Sequence, residues 1–160
     1  MLISEDGYLY FVDRALDGMA QVLSGLGDEL ANRRPALPGA NSPFAIVTHC
    51  LGVLDYWVGF LVAGRSVERD RDGEFAASGP VHELLVRVDA AKRQLRADLA
   101  MADPSAPMRA TPPSAYLSTH PDLSQGGALF HVYADLAQHH GQLELTRDLL
   151  LASPGATHKP

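Results

Sequence analysis

The polar residues best placed to do chemistry lie near the C-terminal end of the chain, in the segment FHVYADLAQHHGQLELT at residues 130–146. If this segment is helical, Asp135 and His139 stand four residues apart on one face, so both side chains can close on a single ion. His131 and Gln142 extend the same polar line. The line borders an apolar stripe formed by Leu129, Val132, Leu136 and Leu143. The carboxylate and the imidazole are therefore expected at the margin of a buried surface.

A third candidate ligand, His49, lies in the segment FAIVTHCLGVLDYWVGFLVAG. This segment is apolar on almost all sides, which is typical of a central helix in a bundle. His49 lies on the face of that helix that is expected to point toward the core, so its imidazole needs a buried hydrogen-bond partner. Two helices packed about 8–10 Å apart can bring such a histidine opposite an i, i+4 pair. Three protein ligands with one further position for water or substrate are the arrangement of a catalytic metal site.

Each part of this group also has a purely structural interpretation. An aspartate and a histidine four residues apart often form a hydrogen bond or an ion pair on a helix face. A histidine in an apolar helix is often a satisfied core residue. Cys50, beside His49, is most simply a small buried apolar residue, and His140 is expected to pack within the bundle. Spacing alone leaves the metal site and the structural interpretation open.

Composition limits the classes of function. The chain has 160 residues, a length that favours a single domain over residues 1–160. Its formal net charge is -6, and it has one cysteine. The acidic balance offers no basic field for a nucleic-acid backbone. Because one cysteine forms neither an internal disulfide nor a thiolate cage, a metal would need nitrogen and oxygen ligands. An acidic start and the lack of about 18 consecutive uncharged apolar residues predict a soluble, cytoplasmic protein with no membrane partner.

Apolar periodicity predicts four helices that would position the candidate residues. They are expected from Ser4 to Leu26, from Ser42 to Gly64, from Pro80 to Leu99 and from about Gly126 to Ala152. Residues 27–41 are expected to connect the first two, with a short helical turn at 28–33. The charged residues 65–79 indicate a solvated loop, and the proline-rich residues 102–125 a long irregular connection over the end of the bundle that holds the site. No strand pattern is present, so the predicted fold class is all-α, a four-helix bundle.

Two segments, SPFAIVTHCLGVLDYWVGFLVAGR and ALFHVYADLAQHHGQLELTRDLL, resemble the DinB-like four-helix bundle family. The resemblance is to the branch of mycothiol-dependent maleylpyruvate isomerases and mycothiol transferases, and it covers nearly the whole chain. It implies an up-down-down-up bundle in which His49, Asp135 and His139 hold a divalent metal. Zinc is the usual assignment in the family, and nickel or iron stays open. The mycothiol-linked branch typically has glutamate at the middle position, so Asp135 departs from it with a shorter reach.

The resemblance implies an enzyme in which the metal activates a low-molecular-weight thiol, mycothiol or a similar compound, for transfer to a small electrophilic substrate. His131 and Gln142 would then support the ligands or contact the substrate. The related isomerase uses a second, C-terminal domain for which this chain has no room, so isomerisation itself is not expected.

Three other outcomes stay open at this point. The same three ligands could activate water, which would make the protein a metal-dependent hydrolase. The bundle could instead be a non-enzymatic binding or stress module in which Asp135 and His139 form an ion pair. A homodimer is also compatible with the sequence.

Overall fold

The computed structural model describes residues 3–113 and 123–152. Its helices are α1 (Glu5–Ala31), α2 (Pro43–Leu54), α3 (Arg71–Ala76), α4 (Val81–Leu99) and α5 (Gln125–Ala152), and α2 continues directly into a π-helix, Asp55–Val62. The described ranges contain no strand, only an isolated antiparallel bridge between Pro107 and Ser124. The predicted all-α fold class is confirmed.

The long helices α1 and α5 run parallel to each other. The Tyr8 hydroxyl, near the start of α1, donates a hydrogen bond to the carbonyl of Leu129 near the start of α5, at 3.0 Å. Arg33, just beyond the end of α1, donates from Nη2 to the carbonyl of Leu150 near the end of α5, at 3.1 Å. Both contacts join corresponding ends, so the two helices share one direction.

Helix α4 runs antiparallel to α1. Asp28, in the last turn of α1, accepts a hydrogen bond from the backbone N–H of Val81 at the start of α4, at 2.8 Å. Lys92, farther along α4, donates to Asp17 in the middle of α1 at 2.6 Å. Helix α2 packs against α5 in the opposite direction, through the contacts described below for the site. The order is therefore up-down-down-up, as the family resemblance implies.

Serine caps and two glycines set the ends of the first helices. Ser4 Oγ accepts a hydrogen bond from the N–H of Gly7 at 3.1 Å, and Ser42 Oγ accepts one in the same way at the start of α2, as N-caps do. Gly27 has φ 67° and ψ 177°, a conformation that favours glycine. It separates a short final turn of α1 from the rest, as predicted. Gly64, with φ 78°, follows the π-helix and ends the second long element.

The middle of the bundle is filled by α2 and its π-helical continuation. The stretch Pro43–Val62 is long and apolar enough to cross a membrane by composition, but 78% of its most apolar window is buried inside the protein. Its apolar character is therefore explained by its central position. The π-helical register was not predicted, because a segment that is apolar all round has no periodicity from which a register can be inferred.

The prediction of a solvated loop over residues 65–79 is wrong for its second half. Residues Arg71–Ala76 form α3, and Asp70 caps that helix by accepting a hydrogen bond from the N–H of Gly73 at 2.9 Å. Glu74 is only 7% exposed. Its burial is possible because basic side chains satisfy its carboxylate, as described below.

The predicted connection over residues 102–125 is described only in part, since residues 114–122 lie outside the described ranges. The backbone N–H of Arg109 donates to the carbonyl of Leu61 at 2.8 Å. This part of the connection therefore packs against the C-terminal end of the π-helix. The prediction that this connection covers the site depends on residues outside the described ranges. Helix α3 contacts the candidate site through His49.

Candidate metal centre

The three predicted ligands converge between α2 and α5. Nε2 of His49 lies 4.0 Å from Oδ2 of Asp135, and Nε2 of His139 lies 3.7 Å from the same oxygen. One ligand atom from each of the three residues lies within 4.8 Å of the others. A tetrahedral zinc site with bonds of about 2.0–2.1 Å places its ligand atoms about 3.3–3.4 Å apart. Small side-chain rotations would thus bring all three atoms to bonding distance of one ion.

The carboxylate of Asp135 is the feature that most needs a cation. Among the described residues, its Oδ2 is buried and has no hydrogen-bond partner. A buried acceptor without a partner costs about 1–3 kcal/mol, and more when it is charged. This oxygen lies between two imidazole nitrogens, and nitrogen with carboxylate oxygen is a donor set that suits zinc, iron or nickel. The residues present therefore fit a divalent metal.

Each candidate imidazole is held through its other ring nitrogen. Nδ1 of His49 lies 2.8 Å from Oε2 of Glu74, and Nδ1 of His139 lies 2.7 Å from Oε1 of Gln142. A carboxylate or amide oxygen only accepts, so Nδ1 carries the hydrogen in each ring. In the neutral rings, both Nε2 atoms then present a lone pair to the space beside Asp135.

Glu74 and Phe75, both on α3, fix the position of His49. The Glu74 carboxylate accepts hydrogen bonds from Arg69 Nε at 2.7 Å and from Arg69 Nη2 at 3.0 Å. Burial raises the pKa of the Glu74 carboxyl, but the hydrogen bonds from His49 and Arg69 outweigh this and hold the pKa below its usual value. The ring of Phe75 stacks on His49, with centroids 4.6 Å apart.

His131 lies one turn before Asp135 on α5 and contacts Trp57, with ring centroids 4.2 Å apart. Burial lowers the pKa of His131 below its ordinary value of 6.5, against an opposing effect of Asp135. Trp57 is 2% exposed and is a core residue, as expected. Gln142 contacts the candidate ligand His139, and the supporting roles expected for Gln142 and His131 stay predictions.

Two neighbours of the ligands point elsewhere, as the sequence predicts. Cys50 is fully buried, and its burial, followed by the nearby carboxylates, raises the pKa of its thiol well above the usual value. His140 packs against Gly18 of α1, where an added Cβ would lie 2.2 Å from His140 Nε2. Neither side chain is part of the ligand group.

Arg69, Glu74 and Phe75 are the site residues that the sequence did not reveal. They lie in a stretch whose charges suggested solvent exposure. One signal was available, since Phe75 is a large apolar residue in an otherwise polar segment and follows a capping aspartate, Asp70. That combination is compatible with a short helix packed on the core.

Comparison with protein families and with solved structures gives a consistent result. Residues 8–152 match the family model of mycothiol-S-transferases. No curated protein matches the sequence. A crystal structure described as the conserved protein of locus from Enterococcus faecalis is similar, with a TM-score of 0.72 and 16% identity over 96% of this chain and 100% of that chain. That likeness shows a shared fold. Because the family model spans most of the sequence, the chain belongs to the mycothiol S-transferase family.

Proposed function

We propose that this protein is a metal-dependent mycothiol S-transferase in which His49, Asp135 and His139 hold one divalent ion, zinc in our proposal. The observation that supports it best is the buried, unpartnered Oδ2 of Asp135 between two imidazole Nε2 atoms. A structural ion pair would instead place this oxygen within hydrogen-bond distance of a donor. The distances of 3.7 and 4.0 Å exceed that range.

When bound, a divalent ion with an open position lowers the pKa of a thiol from about 8.5, so that the nucleophilic thiolate is present at neutral pH. With these side chains, a metal-loaded site would carry a net positive charge and would attract an anion such as a thiolate. Two neutral imidazoles and the single negative charge of Asp135 would balance only half of the charge of a divalent ion. Glu74 adds no net charge, since Arg69 pairs with it.

The reacting sulfur must come from a small molecule. Cys50 is the single cysteine of the chain, is fully buried and has a raised pKa, so it is neither accessible nor ionised at neutral pH. Membership of the family supports mycothiol or a similar thiol in this role. Its sulfur would bond to an electrophilic carbon, the leaving group would depart with the bonding electrons, and the thiol proton would pass to solvent. A reduced thiol pool of this kind favours a cytoplasmic location.

Metal content tests the ligand assignment. Elemental analysis of the purified protein, supplied with zinc, nickel or iron, should give about one ion per chain. His49→Ala and His139→Ala should lose it, because each leaves only two protein ligands. His82→Ala, an exposed histidine on α4, is the matched control and should keep the metal. A wild-type protein that binds no metal under any of these conditions would refute the proposal.

Product analysis tests the reaction. The metal-loaded protein is mixed with mycothiol and monochlorobimane, a soluble electrophile that gives a fluorescent thioether when the thiol sulfur displaces its chloride. Conjugate formation above the uncatalysed rate, lost in His139→Ala, is the expected result. A metal-loaded protein that hydrolyses ester or amide substrates, but forms no thiol conjugate with several electrophiles, would contradict transferase activity and favour the hydrolase.

A further inference from the structure

Helix α3 contacts the metal centre from outside the two helices that supply the ligands. We propose that Glu74, fixed by Arg69, is a positioning residue of this centre, and that it couples the packing of α3 to metal binding. The inference rests on the proposed function, since it concerns the same three ligands. It adds to that function a role for the short helix α3 (Arg71–Ala76).

The Glu74 carboxylate is held by three hydrogen bonds in a nearly dry environment. Arg69 supplies two and His49 the third, at distances of 2.7, 3.0 and 2.8 Å. The side chains of Arg69 and Glu74 are 6% and 8% exposed. Separating the two side chains of such a buried pair would leave an uncompensated charge, which is strongly unfavourable. Arg69 therefore keeps the Glu74 carboxylate in one position. The pair therefore determines where the Nδ1 hydrogen of His49 points.

Gly52 provides the space in which Glu74 reaches His49. A Cβ at position 52 would lie 1.9 Å from Glu74 Oε1, so any side chain there displaces the carboxylate. Glycine inside a helix is about 1 kcal/mol less favourable than alanine. Its presence in α2, three residues after His49, is explained by this close approach.

Residues of α3 thus hold His49 on both its edge and its face. Glu74 accepts a hydrogen bond from Nδ1 at the edge of the His49 ring, and Phe75 stacks on the face of that ring at an interplanar angle of 26°. Hydrogen-bond partners of this kind fix the tautomer of a ligating histidine and raise its basicity, and their loss typically costs about 10–100-fold in metal affinity. Coupling between two events is reciprocal. Metal binding should therefore stabilise the docking of α3 by the same factor.

The test compares two Gly→Ala variants that differ only in what the new methyl group meets. Gly52→Ala forces Glu74 away from His49, whereas at Gly141, on α5, nothing lies within 4 Å of an added Cβ. Both changes favour helix formation, so both proteins should fold, as circular dichroism will verify. Zinc affinity, measured by competition with a chromophoric chelator, should fall about 10–100-fold in Gly52→Ala and stay unchanged in Gly141→Ala.

Glu74→Gln provides a second variant that leaves Gly52 intact. It keeps an oxygen acceptor for His49 but removes the charge that Arg69 pairs with, so a smaller loss of zinc affinity, about 10-fold, is expected. Hydrogen exchange supplies a readout that does not depend on activity. Residues 66–79 should exchange more slowly in the zinc-loaded wild type than in the metal-free wild type, and Gly52→Ala should lose this difference.

The two ways of failing are distinguishable. A wild type that binds none of zinc, nickel and iron would refute the proposed function itself. A wild type that binds zinc, with Gly52→Ala and Glu74→Gln binding it as tightly as Gly141→Ala, would overturn the positioning role of Glu74 and leave the proposed function intact. Exchange of residues 66–79 that does not respond to zinc in the wild type would overturn the coupling to α3.

Discussion

Replacing Asp135 by asparagine should change stability in opposite directions with and without metal. In the metal-free protein, the buried Oδ2 of Asp135 has no hydrogen-bond partner among the described residues, so its charge is poorly compensated. Asparagine is neutral, and its amide group can donate to the lone pair on Nε2 of His49 or His139. Asp135→Asn should therefore stabilise the metal-free protein. The same change removes a charged ligand and should weaken metal binding.

The structure allows both effects to be estimated. An unsatisfied buried polar group costs about 1–3 kcal/mol, and the Asp135 side chain is 22% exposed, so the lower end, about 1 kcal/mol, is appropriate. At a metal concentration of 100 times Kd, binding stabilises the wild type by about 2.7 kcal/mol. If Asp135→Asn weakens binding about 100-fold, the variant gains only about 0.4 kcal/mol under the same conditions. The wild type should then be the more stable of the two by about 1 kcal/mol.

Urea unfolding at pH 7.5 measures both free energies, once with a strong chelator and once with zinc in excess. Asp148→Asn, a change to an exposed carboxylate on the same helix, is the control and should show the same small effect in both conditions. If Asp135→Asn destabilises the protein equally with chelator and with zinc, Asp135 is an ordinary structural residue and the metal interpretation fails.

Three further changes test separate parts of the account. Gln142→Ala removes the acceptor for Nδ1 of His139 and should weaken zinc binding about 10–100-fold in chelator competition, whereas the exposed Gln138→Ala should not. Because burial lowers the pKa of His131 below 6.5, the folded state binds fewer protons than the unfolded chain, and stability falls as the pH drops through 6.5 toward the folded pKa. In urea unfolding of the metal-free protein, His131→Gln should reduce the loss of stability between pH 7.5 and 5.5. An unchanged loss would show that protonation of the buried His131 is not its cause. Trp57→Ala should lower the free energy of unfolding by about 3–5 kcal/mol, and a loss below about 1 kcal/mol would show that this ring is not a core residue.

The convergence of His49, Asp135 and His139 could be predicted because these residues lie on helices with a clear pattern. Asp135 and His139 share a helix face through their four-residue spacing, and His49 interrupts an otherwise apolar helix. Each of these signals is local, and the packing of α2 against α5 is what any bundle of such helices requires. The contact of Gln142 with His139 follows from the same helical spacing.

The support for His49 could not be predicted, because it depends on contacts between distant parts of the chain. Glu74 and Arg69 can be buried because each neutralises the other. In the sequence, however, a buried pair of opposite charges looks the same as two charged residues of a solvated loop. The π-helical register of Asp55–Val62 could not be predicted either, because a segment that is apolar on all sides has no periodicity from which a register can be inferred. Gly52 carries no local sequence signal, because its role depends on the close approach of Glu74, a distant residue in the chain.

Anomalous diffraction from crystals of the zinc-loaded protein, recorded on both sides of the zinc absorption edge, tests the central claim most directly. If His49, Asp135 and His139 hold the ion, a single strong peak is expected between α2 and α5, about 2.0–2.2 Å from His49 Nε2, Asp135 Oδ2 and His139 Nε2. A structure without a peak there, or with Asp135 Oδ2 hydrogen-bonded to a protein donor and zinc bound elsewhere, would contradict that claim.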